Sequence, residues 1–340
     1  MEKSPEQIKR EASFEKLWEE EISPALAGLS DEKKKAIKYN IGIFGVVVTI
    51  FLILAFFGNL YSINFETIWW PILVFGCLAL SLVFFIFLIK NNKNNYSKNF
   101  REKILNVIVK NTKFGWSFES FSDGFSSFKK IKEKQEDYIA RFEHSSLYSS
   151  YEQVSVDEVI ISTYQNTNIR ASEVLATYTV RTKDGSHEVT VFKGFFIEIN
   201  LNKSFVGETY VMTEADSGYF TGSHKMNINR LDIKETELEW NDFEKFLEIR
   251  SNNPIEAREI FSPDFMSVIY DWWFANKKNL RFALKEKSMF ITIPSNVNFE
   301  PTFTRSKEKE KQIIKEHLDL LWFIEEITEM LLYYNRNKLN

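Results

Sequence analysis

Two uncharged apolar runs, Ile41–Phe57 and Ile68–Ile89, constrain this chain more than anything else in it. A helix rises about 1.5 Å per residue, so roughly 20 apolar residues cross a bilayer core of about 30 Å. The first run, extended through Gly58–Tyr61, and the second both reach that length. The pair is therefore read as a transmembrane helical hairpin over residues 41–89. Two buried core helices would rarely hold uncharged runs this long so close together.

The flanks orient the hairpin. Lys33, Lys34, Lys35 and Lys38 precede the first run, and Lys90, Lys93, Lys98, Arg101 and Lys103 follow the second. The connection 58–67 has Glu66 but no Lys or Arg. Lys and Arg near membrane ends stay cytoplasmic, so both termini are expected in the cytoplasm of a cell whose inner membrane holds the hairpin. Trp69 and Trp70 are expected as interfacial anchors, with Pro71 in the first turn, where its missing N–H costs nothing. Residues 1–40 lack the apolar core of a cleavable signal, which leaves the first span as the expected insertion signal.

Composition excludes several chemistries. The net charge of −4 gives no basic field for nucleic acid. Cys77 is the only cysteine, and His144, His187, His224 and His317 form no close pair, so no disulfide framework or Cys/His metal site is expected. No G-x-G-x-x-G or P-loop occurs to cradle a phosphate. No cofactor and no catalytic residue is assigned.

Within residues 1–40, positions 5–29 read as an amphipathic helix. Phe14, Leu17, Trp18, Ile22, Leu26 and Leu29 form its apolar stripe, and Pro24 is expected to kink it. Its acidic opposite face favours packing on protein over an anionic membrane surface. Residues 90–113 read as a basic juxtamembrane helix with Tyr96, Phe100, Ile104, Val107 and Ile108 on one face. Lys90, Lys93, Lys98, Arg101, Lys103 and Lys110 are its candidate lipid contacts; the alternative is a purely topogenic role.

Residues 114–304 read as a cytoplasmic α+β domain. Phe114, Trp116 and Phe118 alternate as a strand, and a helix is expected over roughly 125–142. Strands are expected at 154–164, 173–182, 187–200 and 203–213, with an Asp184-Gly185 hairpin turn, in an antiparallel meander. An irregular strand is expected within 219–230. Residues 241–249 read as helical or mixed. One or two helices follow over 254–275, restarting at Ser262-Pro263, with Ser262 as N-cap. A second hairpin spans 279–294. Residues 305–340 hold a long helix whose stripe (Ile313, His317, Leu320, Ile324, Ile327, Leu331, Tyr334) is broad enough to dock on the domain. Homo-oligomerisation through this stripe is the alternative.

Several segments in order resemble a known family. They are His144–Tyr148 (HSSLY), Glu173-Val174, Phe192–Phe196 (FKGFF), Phe205–Thr209 (FVGET), Phe243–Ile249 and Ala257–Met266. With the hairpin before them, they resemble the uncharacterised bacterial membrane-protein family catalogued as domain of unknown function 3137, over about residues 90–335. The resemblance implies a cytoplasmic α+β domain, no assigned activity, and a LemA-type membrane protein as candidate partner. Phe192, Gly194, Phe196, Phe205 and Gly207 are expected to be structural. Gly194 inside a strand pattern implies a bulge or a close backbone neighbour.

The leading functional expectation is a membrane-anchored binding or scaffold module whose partners are the bilayer, a membrane protein or a second copy. The alternatives are a membrane-bound hydrolase using carboxylates such as Glu173, Glu208 and Glu244, and an oligomeric channel or transporter subunit. The uncharged runs argue against the last, because ion paths usually carry intramembrane ionisable groups.

Overall fold

The computed structural model describes residues 5–34, 96, 98–100, 102–119, 128–183, 185–213, 226, 228, 232–238, 246–296 and 306–337. The hairpin 41–89, with Trp69 and Trp70, lies outside the described residues, as do Lys90, Lys93, Arg101, Glu244 and nearly all of 219–230. Among the described residues, no helix is long and apolar enough to cross a membrane.

The chain divides into two compact units. A sheet-bearing unit takes Met1–Glu11, Val109–Asn298 and Ile313–Asn340; a smaller unit takes Ala12–Ile108 and Phe299–Gln312.

The N-terminal helix begins as α1 (Pro5–Leu17), widens into a π turn (Trp18–Ile22), and resumes as α2 (Ser23–Ala27). The expected kink at Pro24 is thus a π turn just before it. In a regular helix the Pro24 ring would meet the Glu20 carbonyl. Instead Ser23 N–H bonds to Trp18 O, five residues back. Phe14, Leu17, Trp18, Ile22 and Leu29 are buried, so most of the expected stripe faces protein. Residues 102–110 form α3, with Ile104, Leu105 and Ile108 buried.

The sheet orders its described strands β1-β2-β3-β4-β9-β8-β5-β7-β6, every neighbouring pair antiparallel. Their spans are β1 Ser117–Glu119, β2 Gln153–Tyr164, β3 Thr167–Thr182, β4 Gly185–Asn200, β5 Thr209–Thr213, β6 Lys234–Glu235, β7 Leu247–Ser251, β8 Arg281–Lys285 and β9 Ser288–Pro294.

Three features depart from the expected pattern. First, β3 starts at Thr167 rather than near 173. Gln165 and Asn166 both adopt positive φ (48° and 63°), the two-residue turn that matches strand twist, so β2 reverses at once. Second, the meander breaks after β4. β9 pairs beside β4, while β5 lies between β8 and β7. Leu201 N and Phe205 N donate to the carbonyls of Lys287 and Glu286, and residues 206–208 donate to side-chain acceptors, so the chain leaves β4 without a hairpin. Third, residues 247–251 are a strand, with Leu247, Ile249 and Ser251 buried at a period of two.

Helix α4 (Phe128–Ser145) covers one face of the sheet: Tyr138 and Phe142 join Val159, Val174, Phe192, Phe196 and Phe290 in a single cluster. Helices α5 (Pro254–Ile260) and α6 (Pro263–Asn276) follow β7. Asn253 caps α5 by accepting from Glu256 N at 3.3 Å, whereas the Ser262 side chain makes no capping bond to α6. Helix α7 (Lys307–Asn337) meets the opposite sheet face, where Phe195 packs edge-on to His317 at 5.3 Å, and Trp272 of α6 stacks on Phe323 at 4.8 Å. His317 is thus a core residue whose Nδ1 lies 2.8 Å from Ile313 O.

Glu325, inside the α7 stripe, accepts from Phe114 N (3.0 Å) and Trp116 Nε1 (3.1 Å), fastening the segment before β1. Burial pushes its carboxyl up, against the pull of those donors.

Candidate functional site

The ends of the stretch that contains the apolar hairpin come together. In the smaller unit Asn99 Nδ2 donates to Glu32 Oε2 at 2.8 Å, and Lys33 Nζ donates to Glu310 Oε1 at 2.5 Å. Tyr96 is 2% exposed; burial, then Glu310 and Glu32, push its hydroxyl well above the usual range. Tyr96, Phe100, Ile104 and Ile108 all face protein. Among the described residues of 96–110, the amphipathic pattern therefore records packing on its apolar side. Lys98, Lys103 and Lys110 are exposed on the other, with Lys98 3.8 Å from Glu102.

The motif residues fall into two constructions. In the first, Phe192 lies 5.9 Å from Phe142 and 4.8 Å from Tyr148, and Phe196 lies 5.3 Å from Phe142. Burying a side chain of this size contributes roughly 1.5–3 kcal/mol. Gly194 sits between them, opposite Pro294, with φ +157°. A Cβ there would collide with the Ile293 carbonyl oxygen and stand 2.7 Å from Ser295 N. Of the two expected reasons for a glycine, the close backbone neighbour is the one found, joined by a positive φ, and the approach is too close even for alanine.

The second construction is a clip built on Glu256, which is 3% exposed. Its carboxylate accepts from Val206 N (3.0 and 2.9 Å) and Gly207 N (2.7 Å), while Asn252 Oδ1 accepts from Glu208 N at 2.7 Å. Glu256 stands at the third helical position of α5, where a glutamate usually turns back to the cap. Here it reaches across to residues 206 and 207. Phe205 is buried, and a Cβ on Gly207 would lie 2.5 Å from Asn253 Cβ. Val206 is left 78% exposed, and Ile255, the sequence neighbour of Glu256, is exposed as well.

Between α4 and the β2–β3 turn lies a cleft of about 560 Å³, lined by Glu133, Lys134, Asp137, Tyr138, Ile161 and Arg170 among others. Beside it sits Glu198, 3% exposed. Arg141 Nη1 donates to both Glu198 oxygens (3.0 and 2.8 Å), Arg170 Nη1 to one (3.2 Å), and Ser288 Oγ to the other (3.2 Å). Arg141 also engages Asp137 through Nε and Nη2. The sequence reading missed this group. Its signal was charge at inward-facing positions: Arg170 on β3 pairs directly with Glu198 on β4.

A smaller cleft of about 130 Å³ brings Asp157 and Glu173 together with Lys193. Glu208 is elsewhere, accepting from Tyr210 Oη at 3.0 Å, so the structure does not join it to Glu173. Among the described residues no group of three His, Cys, Asp or Glu side chains could hold a metal.

Residues 190–332 match the model of a family described as "Protein of unknown function (DUF3137)". This is the family resembled in sequence, and the matched region includes both glycine constructions but not His144–Tyr148 or Glu173-Val174. No curated protein matches the chain. Among solved structures, the mycobacterial trehalose monomycolate transport factor A, TtfA, is similar at 8% identity and a TM-score of 0.28, over 50% of this chain and 74% of that one.

Proposed function

We propose that this chain is a membrane-anchored binding or scaffold module. In this reading the 41–89 hairpin fixes it in a bacterial inner membrane, and both termini face the cytoplasm. The observation that carries the reading is the Glu32–Asn99 hydrogen bond. The chain departs at residue 34 and is back beside its point of departure by residue 99. Two antiparallel helices packed about 8–10 Å apart return a chain in this way. The exposed Lys98, Lys103 and Lys110 then lie just past the second span, where each contributes roughly 1 kcal/mol toward an anionic leaflet. The family resemblance adds a LemA-type membrane protein as candidate partner.

A reporter active only outside the cytoplasm is expected to be silent when fused after Asn340 and active when inserted near Ser62. The reverse pattern overturns the reading. The carboxylate-hydrolase alternative has one observation in its favour, the convergence of Asp157 and Glu173. That cleft is smaller than the roughly 300–1,000 Å³ of most ligand sites.

A further inference from the structure

Arg141 and Arg170 share Glu198 but are used differently. Arg141 directs Nη1 at both Glu198 oxygens and Nε and Nη2 at Asp137, so its fork is filled. Arg170 makes one contact, from Nη1 to Glu198 at 3.2 Å. Its Nε and Nη2 meet no acceptor among the described residues, yet its side chain is only 29% exposed and lines the larger cleft. A guanidinium held in place with half of its planar fork unused is built to receive a carboxylate side-on through two parallel hydrogen bonds.

The rest of the lining narrows the ligand. Tyr138 and Ile161 form an apolar wall, with Lys134 beside them. The cations Lys134, Arg141 and Arg170 are matched by Glu133, Asp137 and Glu198. With no net positive field, the cleft lacks the means to concentrate a multiply charged anion. We propose that the cleft between α4 and the β2–β3 turn binds a small monocarboxylate carrying an apolar chain, its carboxylate on Arg170 and its chain against Tyr138 and Ile161. This site is independent of how the chain meets a membrane.

The test uses the full chain in phosphatidylcholine nanodiscs, with octanoate titrated by calorimetry and empty discs subtracted. Saturable octanoate binding is expected, with octanol at background. Arg170→Gln is expected to weaken octanoate about tenfold or more, as loss of a charged hydrogen-bonding partner does. Arg170→Lys, which keeps the charge but not the fork, should fall between. Thr163→Trp, at an exposed position on the cleft wall, keeps the proposal testable if Arg170→Gln does not fold. It is expected to block octanoate while Arg170 stays intact. Absence of saturable binding, equal binding of octanol, or an unchanged Arg170→Gln overturns the site. Octyl phosphate binding more tightly than octanoate overturns the monocarboxylate assignment.

Discussion

Glu256 and Glu198 are equally buried, at 3% exposure, but their surroundings satisfy them in opposite ways. Glu256 is held by backbone N–H groups of residues 206 and 207, which have no other use and no freedom to leave. Glu198 is held by two guanidiniums and a hydroxyl, and one guanidinium keeps donors in reserve. The first arrangement closes a loop and leaves Val206 on its surface. The second sits beside a cleft. A buried carboxylate marks a possible site only when its partners retain unused capacity.

The largest effect expected from breaking this contrast is at the clip. Glu256→Ala orphans two backbone donors and removes charged hydrogen bonds, each contributing roughly 1.5–3 kcal/mol. Stability is expected to fall by about 3 kcal/mol, read from the midpoint of urea unfolding. Glu256→Gln, which keeps one acceptor oxygen, should lose less. Equal losses would mean that shape rather than the acceptor count holds residues 205–209.

Asp319 on α7 supplies the third case, a half-buried carboxylate with no hydrogen bond or ion pair to any described residue. Burial pushes its carboxyl up to about 6; Lys315 and Arg10 pull it down, and Glu11 and Glu316 push it further up. The folded state therefore holds a proton that the unfolded chain releases near its ordinary value of 3.8. Stability from this group is full below about pH 4 and lost as pH rises through about 6. Asp319→Asn is expected to leave stability unchanged at pH 3.5 and to raise it at pH 7.5 by at most about 3 kcal/mol. A gain of the same size at both pH values would trace the effect to packing instead.

Steric closure around the clip is the next test. Gly207→Ala drives a Cβ into Asn253 and Asn252, and overpacking of this kind costs roughly 1–3 kcal/mol. Gly194→Ala is expected to lose a similar amount, for it meets backbone atoms of Ile293, Pro294 and Ser295 that cannot swing aside. Melting temperature of the full chain reads both. An unchanged Gly207→Ala would show that the loop has room, and the clip would then not be closed.

Much of the scaffold was legible because its cause is local. Runs dense in β-branched and aromatic residues gave β2 and β4, the hairpin expected over 279–294 gave β8 and β9, and the broad stripe gave α7 as a docked helix. Three things were hidden because their causes lie far away in sequence. The break in the meander depends on Glu256 holding residues about 50 positions earlier. The strand at 247–251 is fixed by pairing with β5, which overrides a pattern readable as helix. Arg141, Arg170 and Glu198 come from one helix and two strands, and only the fold reveals that they meet. Glu325 shows how such a group can be suspected: an acid within an apolar stripe needs donors, and Phe114 and Trp116 provide them.

The smallest effect expected is the one that separates the two arginines. Arg141→Gln removes the filled fork and leaves Glu198 with a single cation, so a loss of about 1.5–3 kcal/mol is expected. Arg170→Gln removes one contact of 3.2 Å from a side chain 29% exposed to water. The two side chains have nearly the same solvent access, so contacts separate them: Arg170 loses one hydrogen bond where Arg141 loses those to both Glu198 and Asp137, and the unfolding midpoint of Arg170→Gln should move far less. If Arg170→Gln costs as much as Arg141→Gln, both guanidiniums serve the fold and the unused donors of Arg170 are incidental. If it costs little, the fold does not require Arg170, and what keeps an arginine beside the cleft must be sought in what the cleft holds.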